Sequence, residues 1–133
     1  MANLPLISVV DDDDSVRESL SGLIRSVGFG VMVFASAEAF LSSNHLLDTD
    51  CLILDVRMPG MSGIDLQRQL VASHRSIPVI FITAHGDEEA RVRALNGGAV
   101  EYLLKPFSEE ALLRAIDTAL KSNGRQLKPQ KQP

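Results

Sequence analysis

The chain has 133 residues, 45% of them hydrophobic and 23% charged, enough to build the core of one globular domain and too short for two. A net charge of −4 argues against this segment gripping nucleic acid by itself, since phosphate contacts need a basic surface. No apolar run approaches membrane-spanning length, the N-terminus lacks the basic and apolar regions of a signal peptide, and the single cysteine, Cys51, has no disulfide partner, so a cytoplasmic protein is expected.

Leu6 to Val10 is a short apolar run that stops at four consecutive aspartates, Asp11 to Asp14, and reads as a buried strand entering an acidic loop. Val16, Leu20, Leu23, Ile24 and Val27 then share one helical face, with Asp14 or Ser15 as N-cap and Gly28 as the stop. Val31 to Phe34 gives the next strand, Ser36 with Glu38 to Leu41 a short helix, and His45 to Asp50 a polar loop. Leu52-Ile53-Leu54-Asp55 is unbroken and rich in branched side chains, as a strand buried on both faces is, and it ends at a carboxylate shortly before a Pro59-Gly60 turn.

Ser62 caps a helix carrying Leu66 and Leu70, which ends before Ser73. Pro78 introduces Val79 to Ile82, a fourth buried strand, which terminates at Thr83. The helix from about Asp87 to Asn96 has a thin apolar face, Ala90, Val92 and Leu95, so weak docking and movement are expected of it. Gly97 and Gly98 end it, and Val100 to Leu104 forms a fifth strand that stops at Lys105 and Pro106. Ser108 and Glu109 open a last amphipathic helix through Leu112, Leu113, Ile116, Ala119 and Leu120.

Five strands alternating with five helices predict an α/β fold, a doubly wound parallel sheet with helices on both faces. Residues 1–123 read as that domain. Residues 124–133, polar and punctuated by proline, read as a disordered tail or the start of a linker to an absent output domain.

Four of the five strands end in a residue able to do chemistry: Asp11 and Asp12, Asp55, Thr83, and Lys105. In a parallel sheet these converge on the carboxyl edge, where open α/β sheets bind their ligands. Carboxylates placed together repel, at a cost of roughly 4 kcal/mol per pair at about 4 Å and an effective dielectric near 20. A hard divalent cation relieves that repulsion and keeps coordination positions for water and phosphate oxygens. Asp13 and Asp14 read as helix-capping residues, Asp11 and Asp12 as metal candidates. A metal, a free carboxylate, a hydroxyl and an amine suit phosphoryl transfer: Asp55 attacks, the metal and Lys105 hold the phosphoryl oxygens, and Thr83 donates a hydrogen bond. No Gly-rich phosphate loop follows the first strand, so a nucleotide cradle is not expected there.

Val10-Asp11-Asp12, the run from Leu54 to Gly63, Ile82-Thr83-Ala84-His85-Gly86-Asp87 and Lys105-Pro106-Phe107 resemble, in order and spacing, the signatures of bacterial response-regulator receiver domains. The likeness covers about Leu6 to Ser122, and it is greatest to the receivers of nitrogen-fixation and LuxR-type transcription regulators. The resemblance implies a flavodoxin-like sheet of order 2-1-3-4-5 and transfer of a phosphoryl group from a sensor histidine kinase to Asp55. It further implies Mg2+ or Mn2+ held by Asp12, Asp55 and the Arg57 backbone carbonyl, with Asp11 acting through water.

In the family's terms Thr83 and Tyr102 form the switch pair, and the fourth helix, fifth strand and last helix make the face that dimerises or releases an output domain. A phosphorylation-dependent homodimer and DNA binding only through an output domain outside this chain follow from the resemblance, as does a cis Lys105-Pro106 peptide, an isomer that the sequence by itself does not fix. Arg57 and His85 stand where the family tunes dephosphorylation; His85 also reads as a solvated loop residue and Tyr102 as a half-buried strand aromatic. A haloacid-dehalogenase phosphatase would carry a second carboxylate where this chain has Arg57, and a module that takes no phosphate would not need Asp11, Asp12, Asp55, Thr83 and Lys105 together. The expected role is a switch that catalyses its own phosphorylation and dephosphorylation, not a metabolic enzyme.

Overall fold

Each apolar run becomes a strand of one sheet. The computed structural model describes residues 4–122, so the tail expected at 124–133 lies outside the described residues. In chain order the elements are β1 (Leu6–Val10), α1 (Asp14–Ser26), β2 (Gly30–Phe34), α2 (Ala37–Leu41), β3 (Cys51–Asp55), α3 (Gly63–Ala72), β4 (Val79–Thr83), α4 (Glu88–Asn96), β5 (Glu101–Leu104) and α5 (Glu109–Ser122). The strands are all parallel and lie in the order β2-β1-β3-β4-β5, the doubly wound flavodoxin-like arrangement expected.

Helices cover both faces, so every residue of β3 and β4 is buried, whereas the edge strands β2 and β5 are only partly so. Because side chains alternate along a strand, the sheet separates two cores. Leu52, Leu54 and Phe81 face Phe40 of α2, Leu66 and Leu70 of α3, and Ala90 and Ala94 of α4. Ile7, Ile53 and Ile82 face Leu20 and Ile24 of α1 and Leu112 and Ile116 of α5. Cys51 lies in the second core as a free, buried thiol, and burial pushes its pKa up to about 12.

Three details depart from the sequence reading. The N-cap of α1 is Asp13, one of the two aspartates read as capping the helix, and not the Asp14 or Ser15 expected at the N-cap itself: its backbone is extended and its carboxylate accepts from the N–H groups of Ser15 and Val16. Asp14 instead pairs with Arg17 across the first turn. Val27 is not on the buried face of α1 but caps its C-terminus, 43% exposed. On α4, Val92 is 45% exposed, and the buried positions are Ala90 and Ala94, with Leu95 only half-buried.

The junction between β3 and α3 requires glycine. A Cβ on Gly63 would lie 2.2 Å from the Asp55 carbonyl oxygen. Without one, the first residue of α3 sits directly against the end of β3, and its N–H donates to the Val56 carbonyl at 2.9 Å. A reciprocal capping box between Ser62 and Asp65 fixes the helix start.

Candidate functional site

Parallel pairing places the strand ends side by side. Val10 is in register with Leu54, Asp55 with Ile82, and Thr83 with Leu104, so Asp11, Asp55, Thr83 and Lys105 all emerge at the carboxyl edge. The Asp11 N–H closes the ladder by donating to the Phe34 carbonyl at 3.1 Å. Beyond that last rung the Asp11 side chain turns inward and is fully buried.

Carboxylate oxygens of Asp11, Asp12 and Asp55 lie within 4.8 Å of one another. The Lys105 ammonium is 2.9 Å from Asp11 and 3.9 Å from Asp55. The other Asp11 oxygen accepts from the Asp13 N–H at 2.9 Å, and the Asp11 carbonyl accepts from the Arg17 guanidinium at 2.6 Å. Three carboxylates against one ammonium leave a formal charge of −2 at the edge of an apolar sheet.

Asp55 registers this imbalance. Only 6% exposed, it has its pKa raised to about 6, chiefly by burial and then by the Asp11 charge; Lys105 and a hydrogen bond from the Arg57 backbone lower it, and Asp12 adds to the rise. A rise from 3.8 to about 6 means that ionising Asp55 costs about 3 kcal/mol more here than in water. A divalent cation would cancel the excess charge, and the set offers only hard oxygen donors, with Asp12 exposed to solvent, so the residues fit such an ion.

Thr83 is 1% exposed, one residue beyond the partner of Asp55, and its hydroxyl accepts from the His85 N–H at 3.1 Å. Its carbonyl accepts from the Lys105 N–H at 2.7 Å, tying the two strand ends together. The Lys105-Pro106 peptide is cis. His85 is exposed. The Arg57 side chain points to solvent and meets Asp87 at 3.4 Å, an exposed pair of small energetic consequence.

Tyr102 is buried, its ring 6.4 Å from that of Phe81, and its Oη is buried without a hydrogen-bond partner among the described residues. Burial first, then the Asp87 charge, raises its pKa. The ring borders a cavity of about 220 Å3 that Gly86, Asp87, Arg91 and Leu104 also line.

One supporting contact had no signature in the sequence. Glu38, in the first turn of α2, accepts from the Met61 N–H at 3.0 Å and so anchors the loop that follows Asp55. Gly60, at φ +76°, makes room for it, since a Cβ there would lie 2.8 Å from the Glu38 carboxylate. An acidic residue early in a helix reads as a complement to the helix dipole, and nothing links positions 38 and 61 by spacing.

Residues 7–117 match the response regulator receiver domain family. Among curated proteins the chain is similar to the response regulator protein TmoT of Ectopseudomonas mendocina, 53% identical over 87% of this chain and 53% of that protein. It is also similar to nodulation protein W of Bradyrhizobium diazoefficiens, 50% identical over 86% of this chain and 50% of that one. The chain therefore spans about half the length of the curated relatives it matches. Of solved structures, the response regulator StyR superposes with a TM-score of 0.85 at 52% identity, covering 94% of this chain and 63% of StyR. FixJ-N does so with a TM-score of 0.81 at 39% identity, covering 91% and 96%. With the family match running through nearly all of the described residues, the chain belongs to the response regulator receiver domains.

Proposed function

We propose that Asp55 is the phosphoacceptor of a two-component switch and takes its phosphoryl group from a phosphohistidine of a sensor histidine kinase. The observation that carries this reading is the Asp55 carboxylate itself, buried at the end of the central strand beside two further carboxylates and within 3.9 Å of the Lys105 ammonium. A carboxylate held in an electron-rich, partly desolvated pocket attacks phosphorus only where the transferred group's charge is met on several sides. An O–P bond forms on Asp55 as the P–N bond of the donor breaks, and the electron pair returns to the imidazole nitrogen.

Asp12, Asp55 and the Arg57 backbone carbonyl would hold Mg2+ or Mn2+, with Asp11 acting through water. Such an ion supplies positive charge to the phosphoryl oxygens. Lys105, already poised between Asp11 and Asp55, takes a second phosphoryl oxygen. The Thr83 hydroxyl donates to a third, and Tyr102, whose ring already lies buried beside Phe81, repacks in concert with it. Arg57 and His85, beside the site, control the approach of water and hence dephosphorylation.

Receivers of this family act as switches more than as classical enzymes, and the output proposed here is the face of α4, β5 and α5. That face would form a phosphorylation-dependent homodimer or free an output domain, with residues 1–123 as the receiver and 124–133 as the link. DNA would be met only through that further domain. Phosphotransfer from such a kinase would take place in the cytoplasm; among the described residues no helix is long and apolar enough to cross a membrane.

Intact-protein mass after incubation with Mg2+ and acetyl phosphate tests the central assignment. One phosphoryl adduct is expected, absent with EDTA and absent in Asp55→Asn. Stoichiometric labelling of Asp55→Asn would move the acceptor elsewhere.

A further inference from the structure

Apolar packing holds α4 weakly: it buries Ala90 and Ala94, and its outer surface carries exposed ion pairs, Arg91 with Glu88 and Arg93 with Glu89. What fixes it is polar and sits at one end. Gln67 of α3, only 3% exposed, donates from Nε2 to the Ala94 carbonyl at 3.0 Å, a buried hydrogen bond between residues 27 apart. The same carbonyl accepts from the Ala99 N–H at 3.0 Å, so both of its acceptor sites are used.

Gly97 completes the contact. A Cβ there would lie 2.8 Å from Oε1, 3.0 Å from Cδ and 3.1 Å from Nε2 of Gln67, so the amide packs on the bare Cα. Gly97 has φ −81°, which any residue adopts, so the glycine serves space and not backbone freedom. At the other end of α4, Asp87 caps its own helix and meets Arg57 in an exposed pair. That end borders the Tyr102 cavity and follows Thr83.

Gln67 also belongs to the helix that starts on the phosphoacceptor strand. It stands four residues, about one helical turn, after Gly63, which packs on the Asp55 carbonyl. α3 thus touches the end of the phosphoacceptor strand through Gly63 and the last turn of α4 through Gln67.

We propose that Gln67 is the positioning residue about which α4 turns: it pins the helix's C-terminal end to α3, so that events at Asp55 and Thr83 swing the N-terminal end instead of shifting the whole helix. The pivot rests on the switch reading above, because it needs a signal from Asp55.

Amide exchange, followed residue by residue by NMR on the full chain with and without Mg2+ and beryllofluoride, tests it. In the wild type, beryllofluoride is expected to change exchange at 84–91 and leave 94–98 unaltered. Gln67→Met keeps the volume and loses the donor; exchange at 94–98 should rise roughly tenfold without ligand, and the beryllofluoride response should spread to those residues. Gly97→Ala pushes the amide away and should act in the same direction. Gln67→Ala combined with Gly97→Ala, where the new methyl group takes vacated space, should exchange more slowly at 94–98 than Gln67→Ala alone. A static packing role would raise exchange without redistributing the response. Unchanged exchange at 94–98 in Gln67→Met, or an equal wild-type response at both ends of α4, overturns the pivot and leaves the phosphoacceptor reading intact. No beryllofluoride response anywhere in the wild type overturns both.

Discussion

The two helices that flank β5 from opposite faces are built differently. α5 buries Leu112, Ala115, Ile116 and Ala119, with Phe107, Leu113 and Leu120 packed around them. α4 buries two alanines. Burying Leu112 and Ile116 contributes about 1.5–3 kcal/mol each, whereas a methyl group contributes about 0.8 kcal/mol. One wall of the proposed output face is therefore fixed and the other is free to be repositioned at modest cost. Placing mobility on one side of a strand lets a local event change a surface without loosening the core.

Substitutions on the two sides should separate by size. Ile116→Ala is expected to cost about 3–4 kcal/mol in urea unfolding, from lost burial and the cavity left behind. Ala90→Gly in α4 should cost about 1 kcal/mol, set by helix propensity. Equal losses would abolish the distinction between the helices.

The strand end between the helices carries a cost of its own, and it depends on pH. Because the Asp55 pKa is raised to about 6 in the folded protein, its protonated form is the favoured one there. Its contribution to stability is full below its ordinary value of 3.8 and is lost as pH rises through about 6. In metal-free protein, Asp55→Asn should be more stable than wild type by about 3 kcal/mol at pH 8 and by about half that at pH 5. A pH-independent difference in thermal unfolding would mean that the carboxylate is not strained. Divalent cation should shrink the difference at pH 8, since it stabilises the ionised wild type.

The smallest effect is expected at the loose end of α4. Arg57→Ala removes an exposed partner of Asp87 and should change stability by less than about 0.5 kcal/mol. A larger loss in the same urea titration would show that the N-terminal end of α4 is anchored after all.

What the sequence conveyed follows from what has a period. Apolar runs such as Leu52 to Leu54 identify strands buried on both faces, and strands in parallel bring Asp11, Asp55, Thr83 and Lys105 together from across the chain. Periodicity was less decisive over the nine residues of α4, where Val92 and Ala94 lie on different sides and the larger side chain suggested the wrong one. In the aspartate run, the sequence separated Asp11 as a site residue from Asp13 and Asp14 as capping residues, but not which of the neighbouring hydroxyl and carboxylate groups would be the N-cap of α1. The Gln67 to Ala94 and Glu38 to Met61 bonds join polar residues at separations that no pattern encodes. The placement of Tyr102, with its Oη buried and unpartnered, likewise depends on tertiary packing.

Cys51 makes the phosphoacceptor strand self-reporting. It is the sole cysteine of the chain, fully buried four residues before Asp55, and a thiol whose pKa is pushed up to about 12 is almost entirely protonated at neutral pH. Alkylation must therefore await an opening that exposes β3 to solvent. The labelling rate of the native protein, compared with that of a free thiol, gives the free energy of that opening directly, with no introduced probe.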